Sequence, residues 1–148
     1  MSLKHWVLYS LIPWYTGLGI TKRTVTLEVL GRKTARPIRV SLSRTECNGH
    51  PYFVSLGGKS SWVRNVIVAH GNAYILSGRK TPVQLIETKP EDRAPILLAY
   101  VQDRAFTHSG EQSSRLFFGL GPHPTLREMQ AISDRYIVFE ILPRKVDP

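Results

Sequence analysis

A mainly β fold, a barrel carrying a few helical insertions, is what this 148-residue sequence predicts, and three observations predict it. Apolar and polar residues alternate with a period of two along several segments. Compact turn signals separate those segments. Helical patterns are too few and too irregularly placed to build βαβ units. The length suits one domain with its own core. A hydrophobic fraction of 42% with 21% charged residues belongs to a folded chain rather than a disordered one.

The strands come first. In Thr24 to Leu30, Val25, Leu27 and Val29 alternate with Thr24, Thr26 and Glu28, the mark of a half-buried strand. Ile38, Val40 and Leu42 alternate with Arg39, Ser41 and Ser43 in the same way. Between them lies the polar turn Gly31-Arg32-Lys33-Thr34-Ala35-Arg36-Pro37, so the two runs read as a hairpin with cations at its tip. Asn48-Gly49 is a two-residue turn signal, followed by the strand-forming run Tyr52 to Leu56. Ala73 to Ser77 and Pro82 to Thr88 are further strands around a Gly78-Arg79-Lys80 turn. The closing strand, Tyr136 to Leu142, is apolar on both faces and therefore central.

Helices fill the intervals. Gly57-Gly58-Lys59 breaks the strand pattern, and Ser60 or Ser61 is placed to cap a short helix through Trp62, Asn65, Val66 and Ala69 that His70-Gly71-Asn72 ends. Thr88 and Glu91 have the spacing of a capping box, and Ala94, Leu97, Leu98 and Val101 then share one face. Thr125 and Glu128 repeat that spacing before a helix to Ser133. From Asp103 to Gly121 the pattern reads as loop and irregular helix, with Phe106, Leu116, Phe117 and Phe118 as core material.

Residues 1–20 are set apart as an N-terminal helical segment, a lid or an interfacial helix, and residues 21–148 as a single barrel domain. The apolar run from Trp6 to Tyr15 is far shorter than the roughly 20 residues a membrane span needs, and Pro13 interrupts it. No convincing cleavage site for a signal peptide follows. Trp6, Tyr9, Trp14 and Tyr15 give this segment three uses: roofing a pocket, peripheral membrane contact, or core packing.

The formal charge of +9 and pI near 10.1 call for an anionic partner: nucleic acid, a phospholipid surface or a phosphorylated cofactor. Nucleic-acid arms concentrate cations in a dense tract. Here the tightest cluster is Arg32, Lys33, Arg36 and Arg39, which suits a small ligand, so no nucleic-acid partner is expected. A single cysteine, Cys47, excludes an internal disulfide framework and points to the reducing cytoplasm. His5, His50, His70, His108 and His123 show no metal-ligand spacing, and no metal site is expected. Gly58-Lys59-Ser60 resembles the end of a phosphate loop, but Phe53 stands where that loop needs its first glycine. No serine lies in a nucleophile-elbow context, and no catalytic side chain is assigned.

The order strand, Gly-Arg-Lys-Thr-x-x-Pro-x-Arg, strand, Gly-rich turn, Trp-x-x-Asn, strand resembles the deazaflavin-dependent nitroreductase and quinone reductase family across Val25 to about Ser77. The resemblance implies a split β-barrel of the FMN-binding type. It also implies coenzyme F-420, a flavin analogue with a strongly anionic tail, as cofactor, and an oxidoreductase passing hydride to a small oxidised acceptor such as a quinone, nitroaromatic or enone. By that resemblance Arg32, Lys33, Thr34 and Arg39 grip the tail. Val40, Ser55, Gly57 and Gly58 present backbone groups near the ring, with Lys59 sharing that role. Trp62 packs the short helix on the barrel, and Asn65 ties down its loop. Ala35 departs from the glycine the family commonly has there, and the proline often found before the tryptophan is lacking. FMN in the same barrel, and a non-enzymatic module binding nucleic acid or anionic lipid, are the alternatives. A monomer or homodimer is expected, in the cytoplasm or at a membrane surface. Arg32 and Lys33 are both expected at an exposed turn, replaceable by alanine with little loss of fold.

Overall fold

The computed structural model describes residues 24–102, 118–121 and 123–145. The expected N-terminal helix over residues 1–20 and most of the 103–121 segment, with Phe106, Leu116 and Phe117, lie outside the described residues. Six strands, β1 (Thr24–Leu30), β2 (Pro37–Cys47), β3 (His50–Ser55), β4 (Asn72–Leu76), β5 (Lys80–Glu87) and β6 (Ile137–Pro143), close into an antiparallel barrel ordered β1-β2-β3-β6-β5-β4. Among the described residues three α-helices accompany them: α1 (Ser61–Val68), α2 (Arg93–Gln102) and α3 (Leu126–Ile132).

The alternation read from β1 is the alternation observed. Val25, Leu27 and Val29 point into the barrel with Phe53, Ile75, Val83, Leu85, Phe139 and Ile141. These branched and aromatic side chains form the interior of a small barrel, a packed core rather than a channel. α1 plugs one end with Val63 and Val66 and leans Trp62 on Phe139, ring centroids 5.8 Å apart. A second apolar cluster lies outside the barrel, where α2 and α3 cover the outer face of β3 and β6: Val54 and Val138 meet Ala94, Leu97, Tyr100, Val101, Met129 and Tyr136. With both faces covered, β6 is buried along most of its length and sits between β3 and β5, the central position its composition predicts. Buried Arg93 fixes α2 to this sheet: its Nε donates to the Thr88 carbonyl and its Nη1 to the Tyr136 carbonyl, both at 2.9 Å.

Asn48 (φ 54°) and Gly49 (φ 79°) form the tight turn their sequence demands. Thr125 and Glu128 form a reciprocal capping box at the start of α3. The capping box expected at Thr88 and Glu91 does not form. The Thr88 N–H instead donates to the Val138 carbonyl at 2.8 Å, and a 3₁₀ turn over Pro90–Asp92, with Lys89 at its N-cap, leads into α2. Sheet pairing outcompetes the local cap for that residue.

Candidate functional site

The strand register opens a gap in the barrel wall. The first half of β2 pairs with β1, Pro37 to Ser43 against Leu30 to Thr24, and only its last residues pair with β3, Arg44 opposite Phe53 through Cys47 opposite His50. Beyond Arg44 the two strands part, so the edge of β2 over Val40 to Ser43 faces the edge of β3 at Val54 and Ser55 without a ladder between them. Strand edges of this kind carry backbone donors and acceptors that sheet pairing leaves for other partners.

A cavity of about 350 Å³ occupies this gap. Val40, Ser41, Leu42 and Ser43 form one wall. Val54, Ser55, Leu56 and Gly57 form the other, and Ser60, Trp62 and Tyr100 close its ends. The volume is that of a small-molecule site, and the mix of apolar walls with a few polar groups is what such sites use. Gly57 and Gly58 make the turn from β3 to α1. Gly58 has φ 64°, a region costly for other residues, and the Ser55 hydroxyl clamps the turn by donating to the Gly58 carbonyl at 2.6 Å.

The basic bend between β1 and β2 is fastened next to this cavity. Arg32 donates its backbone N–H to Asn65 Oδ1 at 3.1 Å and its Nη1 to the same oxygen at 2.8 Å. Nη1 also reaches the Ser61 hydroxyl at 3.3 Å. Asn65 itself is only 2% exposed on the inner side of α1, so a buried amide holds the bend and the helix in one arrangement. Lys33, Thr34 and Arg36 stand exposed on the tip. Inside the turn, Ala35 takes φ 56° while its N–H donates to the Gly31 carbonyl at 2.8 Å. The position calls for a left-handed residue, a conformation that glycine adopts more readily than alanine.

Of the residues singled out from sequence, Val40, Ser55, Gly57 and Trp62 line the cavity, and Gly58 and Asn65 build its surroundings. Lys59 is exposed on the turn, with its carbonyl accepting from Arg64 Nε. Arg39 is placed elsewhere. It points outward, opposite Glu28 in the register, and its Nε donates to Glu28 Oε2 at 3.0 Å, while Lys80 Nζ takes Oε1 at 2.9 Å. Hydrogen bonds from Lys80 and Arg39 hold the Glu28 carboxyl below the usual carboxylate range. The Arg32 expectation is corrected as well, since this half-buried side chain carries structural bonds that an exposed turn residue lacks.

Sequence reasoning did not select Leu42, Ser41, Ser43, Val54, Leu56, Ser60 or Tyr100 as wall residues. Nothing local marks where β2 changes partner, which is what exposes most of them. Ser60 was legible only as a helix cap, yet its side chain makes no capping bond, and its buried Oγ has no hydrogen-bond partner among the described residues. An open gap lined by strand edges and a glycine turn fits a planar, heteroatom-edged ring, the shape of a flavin or deazaflavin. Among the described residues no group of three or more His, Cys, Asp or Glu side chains is placed to hold a metal ion. Nor is any described helix long and apolar enough to cross a membrane.

No family model matches the sequence, and no curated protein matches it significantly. Solved structures do. A pyridoxamine 5'-phosphate oxidase-related, FMN-binding protein from Nostoc punctiforme is similar over 91% of this chain and 82% of its own, with a TM-score of 0.55 at 13% identity. This chain has the split β-barrel fold. A NimC/NimA family protein from Clostridium acetobutylicum shares it over 99% of this chain and 96% of its own, with a TM-score of 0.52 at 12% identity. A conserved hypothetical protein from Mycobacterium tuberculosis does so over 98% and 82%, with a TM-score of 0.52 at 13% identity. In this split barrel the gap between β2 and β3 is the opening in the wall, and the basic bend is bonded through Arg32 to Ser61 and Asn65 of α1, the helix at one end of that gap.

Proposed function

We propose that this split barrel is an oxidoreductase that binds coenzyme F-420 in the gap between β2 and β3 and reduces a small organic acceptor such as a quinone, nitroaromatic or enone. One observation carries the reading: the cavity lined by Val40, Ser55, Gly57 and Trp62 lies beside a basic bend that Asn65 locks in place. A neutral ring suits the apolar walls, and an acidic tail suits the exposed cations of the tip. The reduced deazaflavin supplies the hydride when bound, and the protein supplies position and a dry site.

Each group has a defined part in this reading. Leu42, Val54, Leu56 and Trp62 exclude water from the ring. The strand edges at Val40 and Ser55 offer backbone groups to ring heteroatoms. Lys33, Thr34 and Arg36 meet the tail, and Arg32 holds the bend rather than the ligand. Arg39, committed to Glu28 on the outer face, joins the tail site only by adding to the local positive potential. The acceptor's proton comes from solvent or from a tyrosine, and Tyr100 stands in the wall.

Titration of the purified protein with coenzyme F-420, followed by fluorescence, tests the proposal. Saturable binding at micromolar concentration is expected, and absence of binding there contradicts it. FMN is a second reading, favoured by the FMN-binding description of the similar Nostoc protein. Purification as a yellow protein with flavin absorbance supports FMN instead.

A further inference from the structure

We infer that a second site, separate from the gap between β2 and β3, binds a small organic carboxylate: the Arg144 guanidinium takes the carboxylate, and apolar side chains beside it take the body of the acid. A cavity of about 260 Å³ lies over β1 and β4 beside the C-terminal end of α1, and it shares no lining residue with the gap. The volume sits just below the range of drug-sized ligand sites, which suits a small acid. Arg144, the first residue after β6, is held ready in its wall. Its Nε donates to the Val83 carbonyl and its Nη2 to the Ala73 carbonyl, both at 3.0 Å, and its guanidinium carbon lies over the Tyr74 ring, 5.1 Å from the centroid. Those bonds use one edge of the fork. Nη1 makes no hydrogen bond among the described residues, so the edge formed by Nη1 and Nη2 is open to a bidentate partner. A guanidinium already oriented by two carbonyls and a ring loses little freedom on binding, and its fork matches a planar carboxylate.

Charge decides the sign of the ligand. The register sets Glu28 opposite Tyr74, and its side chain, 7% exposed, also lines the cavity. Alone, that carboxylate would repel an acid. Both of its oxygens are taken, Oε2 by Arg39 and Oε1 by Lys80, whose Nζ also lies 4.4 Å from the Tyr74 centroid. Three cations, Arg39, Lys80 and Arg144, against one carboxylate leave this corner with a local charge of +2. An anion is favoured there, whereas a cation meets a carboxylate that is already satisfied. The rest of the wall chooses between an inorganic anion and an organic one. Leu30, 55% exposed, presents apolar surface to the cavity with Pro37 and Ala69. A hydrocarbon body gains by covering that surface, and a hydrated phosphate does not. Asn72, whose side-chain amide makes no hydrogen bond among the described residues, offers a further donor.

The test titrates the full chain with benzoate, and with benzamide and inorganic phosphate as controls, while following its backbone amide NMR signals. Saturable benzoate binding at about 1 mM or tighter is expected, with shifts at Leu30, Ala69, Asn72 and Tyr74, and with both controls weaker by about 10-fold or more. Arg144→Lys keeps the charge, removes the fork and is expected to weaken benzoate by about 10-fold. Leu30→Asp leaves every bond of Arg144 in place, sets a carboxylate at the mouth of an exposed position, and is expected to weaken benzoate by about the same factor. No benzoate binding, or shifts confined to Val40 and Trp62 in the cofactor gap, overturns the site. Benzamide as tight as benzoate overturns the role of Arg144, and phosphate as tight as benzoate overturns the organic acid. Affinity unchanged in Leu30→Asp overturns the placement, whether or not Arg144→Lys folds.

Discussion

Arg32 places its backbone N–H and its guanidinium on one oxygen, Asn65 Oδ1, at 3.1 and 2.8 Å. Two donors on a buried acceptor join the β1–β2 bend to α1, so the tip of one hairpin is tied to the helix at the end of the cavity. Asn65→Ala leaves both donors without that acceptor. It is expected to destabilise the protein by about 2 kcal/mol and to weaken coenzyme F-420 binding at the same time. Urea denaturation and ligand titration of the one variant check both effects. Loss of neither denies the link.

Lys33, exposed at the tip, provides the contrast. Lys33→Ala is expected to leave the denaturation midpoint within about 0.5 kcal/mol of wild type, as for exposed positions generally, while weakening coenzyme F-420 by several-fold. Binding of the tailless deazaflavin riboside is expected to stay the same. Equal losses for the two ligands contradict a tail site at the bend.

Ala35 sits at φ 56°, and relieving that strain is a test of the turn geometry. Ala35→Gly is expected to stabilise the protein by up to about 1 kcal/mol, the gain in the folded turn being partly offset by a more flexible unfolded chain. A midpoint shifted downward shows that the residue does not adopt this conformation.

At Gly71 the reverse substitution is severe. Its φ is 79°, and a Cβ there runs into the Leu85 carbonyl oxygen, whose own residue donates its N–H to the Gly71 carbonyl at 2.8 Å. Gly71→Ala therefore combines a forbidden conformation with a backbone collision. A loss of about 3 kcal/mol or more is expected from thermal or urea unfolding.

Glu28 gives the barrel a dependence on acid. Lys80 and Arg39 lower its folded pKa below the unfolded value near 4.5, so its contribution is complete above that value and is lost as pH falls through the folded pKa. Both cations are more than half exposed, so the effect is modest. Glu28→Gln is expected to cost about 1 kcal/mol at pH 7 and to lose that cost progressively as pH falls through the lowered folded pKa. A cost that persists undiminished at low pH contradicts the ion-pair account.

The legible parts of the fold were those written in local pattern. The β1–β2 hairpin, the Asn48-Gly49 turn, the Thr125 and Glu128 box and the doubly apolar β6 each follow from neighbouring residues, and each is present as read. Thr88 shows where locality fails, because its N–H had two suitors and the distant Val138 carbonyl won. The site divides along the same line. Gly57, Trp62 and Asn65 sit in a recognisable pattern, whereas Leu42, Val54 and Tyr100 reach the cavity because β2 leaves β3 at Arg44, a property of the sheet register and not of any segment. The pairing of Arg39 with Glu28 was within reach, since the hairpin register sets them opposite each other on the outer face. Lys80 joins them from β5, and only tertiary structure brings it there.

The central claim is that the gap between β2 and β3 receives the cofactor ring. A crystal structure of the protein soaked with coenzyme F-420 tests it most directly. The account predicts the ring between the edges of Val40 and Ser55, with the tail running toward Lys33 and Arg36. A ring bound elsewhere on the molecule, or a gap closed by protein side chains while the protein holds the cofactor, contradicts it.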